Sequence, residues 1–471
     1  MSKRDRMRLA VRPAIVLSVL GLVFAPPGRA VEEEPASASS NVEHVANLAY
    51  ETRYGQELPF GTDIELRRYP SLKRTFAFAG TYMNGLQIID VTNPAKPAIA
   101  AVYDCALAQG DVQVFQRDGR VFVAYTADDY GPDYTKPESR CYRDNGVADV
   151  RYGTFLIDVT NPRNPRSVSF VELPKGSHNQ TVHPSGRYLY NSNSDLGPST
   201  GVVEVVDITN MKAPKVVAEL PLQTGLDSHD ITFSADGTRA YSAAVTHTLV
   251  IDTTDPAKPS IIGRIVDPAI NIHHQADPFT IGDKTFLIVT DELAGAAGNG
   301  FCPGGGLHVY DITGANERLP RKVGFFDIGD VRPTTGSSIT CTSHVLKIHP
   351  KEQLMTIAWY AAGTRVIDLA GLASPIPTMA EVGHVYFDDS DTWAAKALTV
   401  TRDGTFHVFA NDMNRGLDVF AVTLRDGEAP GGDAGLTDRF LTPAQILAER
   451  QGLPVGTVEA LDSPYCVLLA K

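Results

Sequence analysis

Tryptophan is nearly absent from this chain, with two residues in 471, and the five cysteines and seven methionines are also few. So few cysteines rule out a small disulfide-dense scaffold. No Cys-x-x-Cys occurs, which removes thioredoxin-type redox chemistry and c-type haem attachment. There is no Gly-x-Ser-x-Gly elbow, no phosphate loop and no His-Glu-x-x-His, so three common hydrolase and nucleotide-binding schemes are excluded. Positive charge is in deficit, with Lys+Arg 42 against Asp+Glu 55 and a net charge of −13. The balance becomes more negative once a basic N-terminal leader is set aside, which argues against nucleic acid or an anionic membrane surface as partner.

The one continuous apolar run is at the N-terminus. Lys3, Arg4, Arg6, Arg8 and Arg12 precede residues 14–25, and Gly28-Arg29-Ala30 has the small-x-small form of a cleavage site. Residues 1–30 therefore read as a secretory signal too short to span a bilayer. Residues 31–41 read as a disordered lead-in. The expectation is an exported protein, periplasmic or extracellular, with no membrane span after signal removal. In that setting disulfides are permitted, and Cys105–Cys141 and Cys302–Cys341 are the expected pairs, leaving Cys466 unpaired.

Against these absences stands one stretch that recurs seven times. GLQIIDVTNP ends at Pro94, TFLIDVTNP at Pro162, GVVEVVDITN at Asn210, HTLVIDTTDP at Pro256 and GLHVYDITG at Gly314. Two degenerate copies end at Gly371 and Thr423. An aliphatic run ends in Asp90, Asp158, Asp207, Asp252, Asp311 or Asp368, with Phe420 at the seventh position. Strand-like units recurring every ~40–50 residues indicate a β-propeller with one blade per repeat. The fold class is all-β, a seven-bladed β-propeller over 42–424. The segment Val42–Tyr50 resembles an outermost strand, and no full hairpin follows Phe420. The ring is therefore expected to close by an N-terminal strand, which removes an open sheet edge. A ring without free edges has no evident need to oligomerise, so a monomer is expected. Residues 425–471 form a linker and C-terminal tail, with a short helix signalled by Thr442-Pro443-Ala444-Gln445 and ended by Gly452.

Three connections are long: 128–151, 291–306 and 329–343. In a four-stranded blade all three emerge on one face, which makes it the expected contact surface for a protein or small-molecule ligand. The recurring Asp, followed by Thr-Asn-Pro or Thr-Asp-Pro, is expected to hold an Asx-type turn on the opposite face. The acidic pairs Asp128-Asp129 and Asp388-Asp389 read as solvated loop residues.

Aligning blades on the first hairpin glycine (Gly119, Gly186, Gly237, Gly282, Gly404) and counting back eight gives Asp111, His178, His229, His274 and Lys396. The His349-Pro350 turn places His344 at the same point, and the first blade gives Asp63. Four consecutive blades thus offer His near the channel mouth, doubled by His273 in the fifth. Two readings stay open. Neutral imidazoles bind copper, zinc or iron, so His178, His229, His274 and His344 form a ligand set, with Asp63, Asp111, Lys396 and His273 as polar partners. Alternatively, His before an innermost strand is repeat grammar that bonds a local turn. Ring nitrogens converging on a common point would favour the first.

The repeat phrase resembles the LVIVD-repeat family of exported bacterial proteins, through FLIDVTNP, VVEVVDITN and LVIDTTDP. That resemblance implies a β-propeller and no settled activity. A weaker, fold-level likeness is to selenium-binding and methanethiol-oxidase-type propellers, which implies metal bound by His near the channel. Two functions follow as expectations: a binding or scaffold module acting through the loop-rich face, or a metal-dependent enzyme, an oxidoreductase in the first instance.

Overall fold

In the computed structural model of the chain the described residues are 33–128, 132–193, 201–223, 227–292, 301–302, 305–328, 332–333, 341–425 and 439–441. The described residues from Glu34 onward form one compact unit. Within it, seven antiparallel sheets follow one another along the chain, each with four strands running in order from the innermost to the outermost. The innermost strands are Gly61–Tyr69, Gln109–Arg117, Asn179–Val182, Asp230–Phe233, Ile272–Ile281, Leu346–His349 and Thr392–Lys396. These open blades 1 to 7. The third strands carry the repeat phrase: Leu86–Asp90, Gly153–Asp158, Val202–Asp207, His247–Asp252, Gly306–Asp311, Thr364–Asp368 and Gly416–Leu424.

The apolar residues of these strands are near-continuous because both faces of each blade are covered. Seven buried clusters result, one in each gap between neighbouring blades. Phe78, Ile88, Val123 and Phe155 join blades 1 and 2, and Ile288, Val309, Met355 and Ile367 join blades 5 and 6. Ile64, Ala79, Trp393 and Val419 fill the gap between blades 7 and 1. Each fully buried aliphatic or aromatic side chain contributes about 1.5–3 kcal/mol, so packing between neighbouring blades is a large part of what holds the ring. In every blade the pairing of the third and outer strands is broken by one bulge, for example between Ile88 and Ile89 or between Val309 and Tyr310. A bulge raises local twist, which suits strands that splay outward from a central axis.

The ring closes as expected. Val42–Leu48 pairs antiparallel with Gly416–Leu424 and supplies the outer strand of blade 7. Two further pieces extend neighbouring blades. Ser37–Ala38 adds to the outer edge of blade 6 against Val385 and Tyr386. The lead-in expected to be disordered therefore carries a strand, because the outer strand of blade 6 offers unpaired backbone groups beside the chain entry. Arg439–Leu441 adds to the outer strand of blade 5. The described part of the tail is thus a strand, and the helix expected from Thr442 lies outside the described residues, as do the expected signal and Cys466.

The Asp of the repeat phrase does what its position suggests. Each carboxylate accepts the backbone N–H two residues on: Asp90 from Thr92 at 3.2 Å, Asp158 from Thr160 at 2.9 Å, Asp207 from Thr209 at 2.7 Å, Asp252 from Thr254 at 2.9 Å, Asp311 from Thr313 at 2.9 Å and Asp368 from Ala370 at 2.8 Å. Arg74, Arg120, Arg321 and Arg402 pair with four of them. These are turn locks, on the face where the third strands end.

Candidate metal centre

The four predicted histidines stand at the opposite end of the innermost strands. His178 and His229 immediately precede the innermost strands of blades 3 and 4, His344 comes two residues before that of blade 6, and His274 lies in that of blade 5. Their backbones are pinned to the second strand of their own blade: the N–H of His178 donates to Ser192, that of His229 to Ala243 and that of His344 to Ala358. The serines that precede two of them serve as anchors. Ser228 Oγ sits 3.0 Å from Ser192 Oγ and 2.9 Å from Ser242 Oγ. Ser343 Oγ donates to the carbonyls of Asp291 and Gly306 in blade 5. The Ser-His recurrence therefore has a structural half, the serine, and the imidazoles are left to project elsewhere.

They project toward one another. Ring centroids are 4.3 Å apart for His178 and His229, 4.4 Å for His229 and His274, and 4.2 Å for His274 and His344. The file continues to Tyr360 at 4.4 Å and Trp393 at 4.8 Å from His344. Glu292, the last residue of the second strand of blade 5, reaches into the same place. Its Oε2 is 3.8 Å from His274 Nε2 and its Oε1 is 3.7 Å from His344 Nε2. Donor atoms of His229, His274 and Glu292 all lie within 4.8 Å of one another. Two ligands on one tetrahedral ion with bonds of ~2.0–2.2 Å stand about 3.4 Å apart, against separations of up to 4.8 Å among these donors.

Hydrogen bonding separates the outer histidines from the inner one. His178 Nδ1 is 2.8 Å from Asp128 Oδ2, and His344 Nδ1 is 2.6 Å from the Trp393 carbonyl. Each contact fixes a ring and directs its other nitrogen inward, the arrangement that holds metal-binding imidazoles. His274 has no partner on either ring nitrogen, and His344 Nε2 and Glu292 Oε2 have none either. His274 is 2 % exposed and Glu292 and His344 are 0 %. A buried polar atom without a partner costs about 1–3 kcal/mol, and several meet here.

Burial lowers the pKa of His178 and of His344 to about 3. It also lowers that of His274 well below the usual imidazole value, with help from His344, His229 and His178. All are neutral imidazoles at pH 7, the form that ligates metals. Burial, reinforced by the charge of Asp291, pushes the Glu292 carboxyl up to about 8 against a hydrogen bond from Tyr360. That Tyr360 O–H donates to Glu292 Oε1 at 2.9 Å. Tyr360 adopts φ 41°, in the left-handed region a tyrosine rarely occupies. It is held there by reciprocal backbone bonds with Thr392 of blade 7. Strain of this kind persists where surrounding structure over-determines a position, often at functional sites.

The other predicted partners fall elsewhere. Register shows that the residues equivalent to the four histidines in blades 1, 2 and 7 are Thr62, Gly110 and Trp393. Counting from the hairpin glycine is off by one at Asp63 and Asp111, and by three at Lys396. Hairpin lengths differ between blades, and a bulge inserts extra residues in blades 1, 2, 5 and 7. Asp63, Asp111 and Lys396 instead line the central channel further along, where Lys396 Nζ pairs with Asp63 at 2.7 Å and Glu65 at 2.9 Å. His273 faces away from the channel: its Nδ1 meets Thr248 Oγ1 at 2.8 Å. Asp128 is 2 % exposed and orients His178, so it is not the solvated loop residue expected.

Glu292, Tyr360, Trp393 and Asp128 escaped sequence reasoning. The scarcity of tryptophan was the available signal: Trp393 packs on His344, and Trp359 directly precedes Tyr360. Cys105 and Cys141 form the expected disulfide. Cys341 is disulfide-bonded as well, and the side chain of its expected partner Cys302 lies outside the described residues.

No curated protein matches the sequence. A solved structure of similar fold is the periplasmic gluconolactonase of Pseudomonas aeruginosa, with TM-score 0.50 and 13 % identity, covering 77 % of this chain and 98 % of that one. At that identity the likeness bears on fold alone. A disulfide is compatible with export, and among the described residues no helix is long and apolar enough to cross a membrane. The LVIVD repeat profile matches residues 71–105, around the first copy of the strand-and-Asp phrase. The chain is thus a seven-bladed β-propeller that carries the LVIVD repeat.

Proposed function

We propose that this protein is an exported metal-dependent enzyme, an oxidoreductase, with its centre at the mouth of the propeller channel. His229, His274 and Glu292 would hold the ion, His344 and His178 would complete or flank the set, and Tyr360 would orient Glu292. The observation that carries this reading is His274, a fully enclosed imidazole with no partner on either nitrogen and an equally unpartnered Glu292 oxygen 3.8 Å away. A histidine serving only the repeat would bond a local turn, as the recurring aspartates do.

A donor set dominated by neutral nitrogen favours copper, iron or zinc over magnesium or calcium. Copper or iron bound here would supply one-electron chemistry. The residues of the chain contribute a buried pocket, fixed ligand orientation and aromatic rings from Tyr360 and Trp393 packed against His344. The loop-rich face keeps its place as the binding surface in the alternative reading, in which the chain is a scaffold.

The test is elemental analysis of protein exported natively and purified without chelator, beside a His229→Ala/His274→Ala variant. Near-stoichiometric copper, iron or zinc that disappears in the folded variant is the expected result. No metal in either protein overturns the proposal and leaves the binding-module reading.

A further inference from the structure

His274 and His344 stand at one end of a cavity of about 280 Å³ among the innermost strands. His274, His344 and Trp393 line it at the level of the centre, and Pro184, in the first hairpin turn of blade 3, lines it at the other level. The cavity therefore spans the length of the innermost strands, from the histidines toward the face where the hairpins turn. This is the face opposite the long loops.

Its charge is one-sided. Five carboxylates line it, those of Asp63, Glu65, Asp111, Asp230 and Asp277, against the ammonium groups of Lys347 and Lys396. Lys396 is already committed to Asp63 and Glu65. The remaining three carboxylates come from blades 2, 4 and 5. Asp111 accepts one backbone N–H from Gln180, and Asp277 accepts from Thr232 and Gln275. Asp230 accepts only from the N–H of Ile231 next to it. Burial and the charge of Asp63 raise the pKa of Asp111 to about 8, so an entering cation takes the place of a proton there. A fold does not gather such groups to stabilise itself. At the end of the same cavity His274, 2 % exposed, offers two nitrogens with no hydrogen-bond partner. Carboxylates that need a counter-charge thus lead to an imidazole that needs an electrophile.

Resting on the metal-centre reading, we propose that this passage is the route by which a hydrated transition-metal dication reaches the histidines, with Asp111, Asp230 and Asp277 as its landing. A cleft lined by one sign of charge within low-dielectric walls raises the local concentration of counter-ions and their on-rates by about 10–10³. Oxygen ligands suit a cation that still carries its water. The imidazoles replace that water at the end of the path. The ion is thereby separated from the long-loop face, where a substrate of either charge could approach the centre from the other side.

The experiment is stopped-flow loading of chelator-treated full-length protein with Co²⁺, followed by its visible absorption when bound by nitrogen ligands. Asp230→Asn preserves shape, and circular dichroism checks that it folds. The bimolecular loading rate should fall by at least ~10-fold in this variant and further in Asp111→Asn/Asp230→Asn/Asp277→Asn. The steep decline of the wild-type rate with added salt should flatten. Lys347→Gln should accelerate loading, an effect that general damage to the fold would not produce. Wild-type and variant rates within twofold of each other, with equal salt dependence, would overturn the route and leave the centre standing. No Co²⁺ band in wild-type protein would overturn the centre, and the route with it.

Discussion

Two rings of recurring polar residues mark the two ends of this propeller, and they differ in how well they are satisfied. At one end six aspartates each lock a turn through the N–H two residues on. At the other end four histidine rings meet tilted or edge to face, and one of the inner two, His274, has no hydrogen-bond partner among the described residues. Both rings come from repeat positions, so recurrence alone cannot tell structure from function. Satisfaction can. The aspartates return the cost of their own desolvation locally, whereas His274 and Glu292 Oε2 find no hydrogen-bond partner among the described residues and carry a cost that a bound group would offset.

The largest expected effect separates the rings outright. His274→Ala should remove a bound metal almost completely, a loss of affinity of at least ~100-fold, or about 2.7 kcal/mol. The apo-protein should unfold within a few degrees of wild type, because the lost ring has no hydrogen bonds to forfeit. Isothermal titration and calorimetry read the two quantities. A large fall in apo-protein stability with unchanged metal content would make His274 as structural as the aspartates.

Tyr360→Phe probes the support of Glu292. Loss of the 2.9 Å bond should weaken metal binding by ~10–100-fold, the range typical of groups that orient a ligand. Unchanged affinity would mean that Glu292 is held by the backbone alone.

The unmetallated protein should also be sensitive to alkali. Burial raises Asp111 to about 8 and Asp412 to about 7. An acid whose folded pKa is raised keeps its proton in the folded state after the unfolded chain has released it. Its stabilisation is present below the unfolded value and lost as pH rises through the folded one. His349 acts in the opposite sense: burial lowers it to about 4, and the unfolded chain takes up its proton below about 6.5. Between pH 6.5 and 8 only the carboxyls act. Stability in that window should fall by up to about 1.4 kcal/mol per pH unit for each proton, and Asp111→Asn should make the decline shallower. A flat profile in urea denaturation across this window would show that the channel carboxyls are solvated as well as in the unfolded chain.

The smallest effect belongs to the satisfied ring. Asp207→Ala removes one turn lock and should cost about 1 kcal/mol with no change in metal content. A change in metal content would couple the two faces and dissolve the contrast between them.

Much of the architecture was legible along the chain. Alternating apolar strands, Asp-Thr-Asn-Pro turns and an orphan outer strand at Val42–Leu48 are local signals, and the closed ring with its turn locks followed from them. The four histidines were legible for the same reason, since each sits in the same local setting before or within an innermost strand. Glu292 was not, because it ends a second strand and meets His344 of the next blade only when blades 5 and 6 pack together. Trp393 was missed because bulges and unequal hairpins shift the register, and Lys396 stood in its place. Asp128 resembled a loop acid until the next blade brought His178 to it.

The amino-acid sequence by itself determined the seven-fold repetition, the strand order within each blade, the turn chemistry and the positions where imidazoles recur. Period-two patterning and Asx turns act over a few residues and need no distant partner. Only the tertiary structure decided which of those imidazoles meet, which carboxylate joins them and where the channel gathers its charge. Those outcomes depend on neighbouring blades turning their innermost strands toward one axis, and on bulges that change which residue faces it.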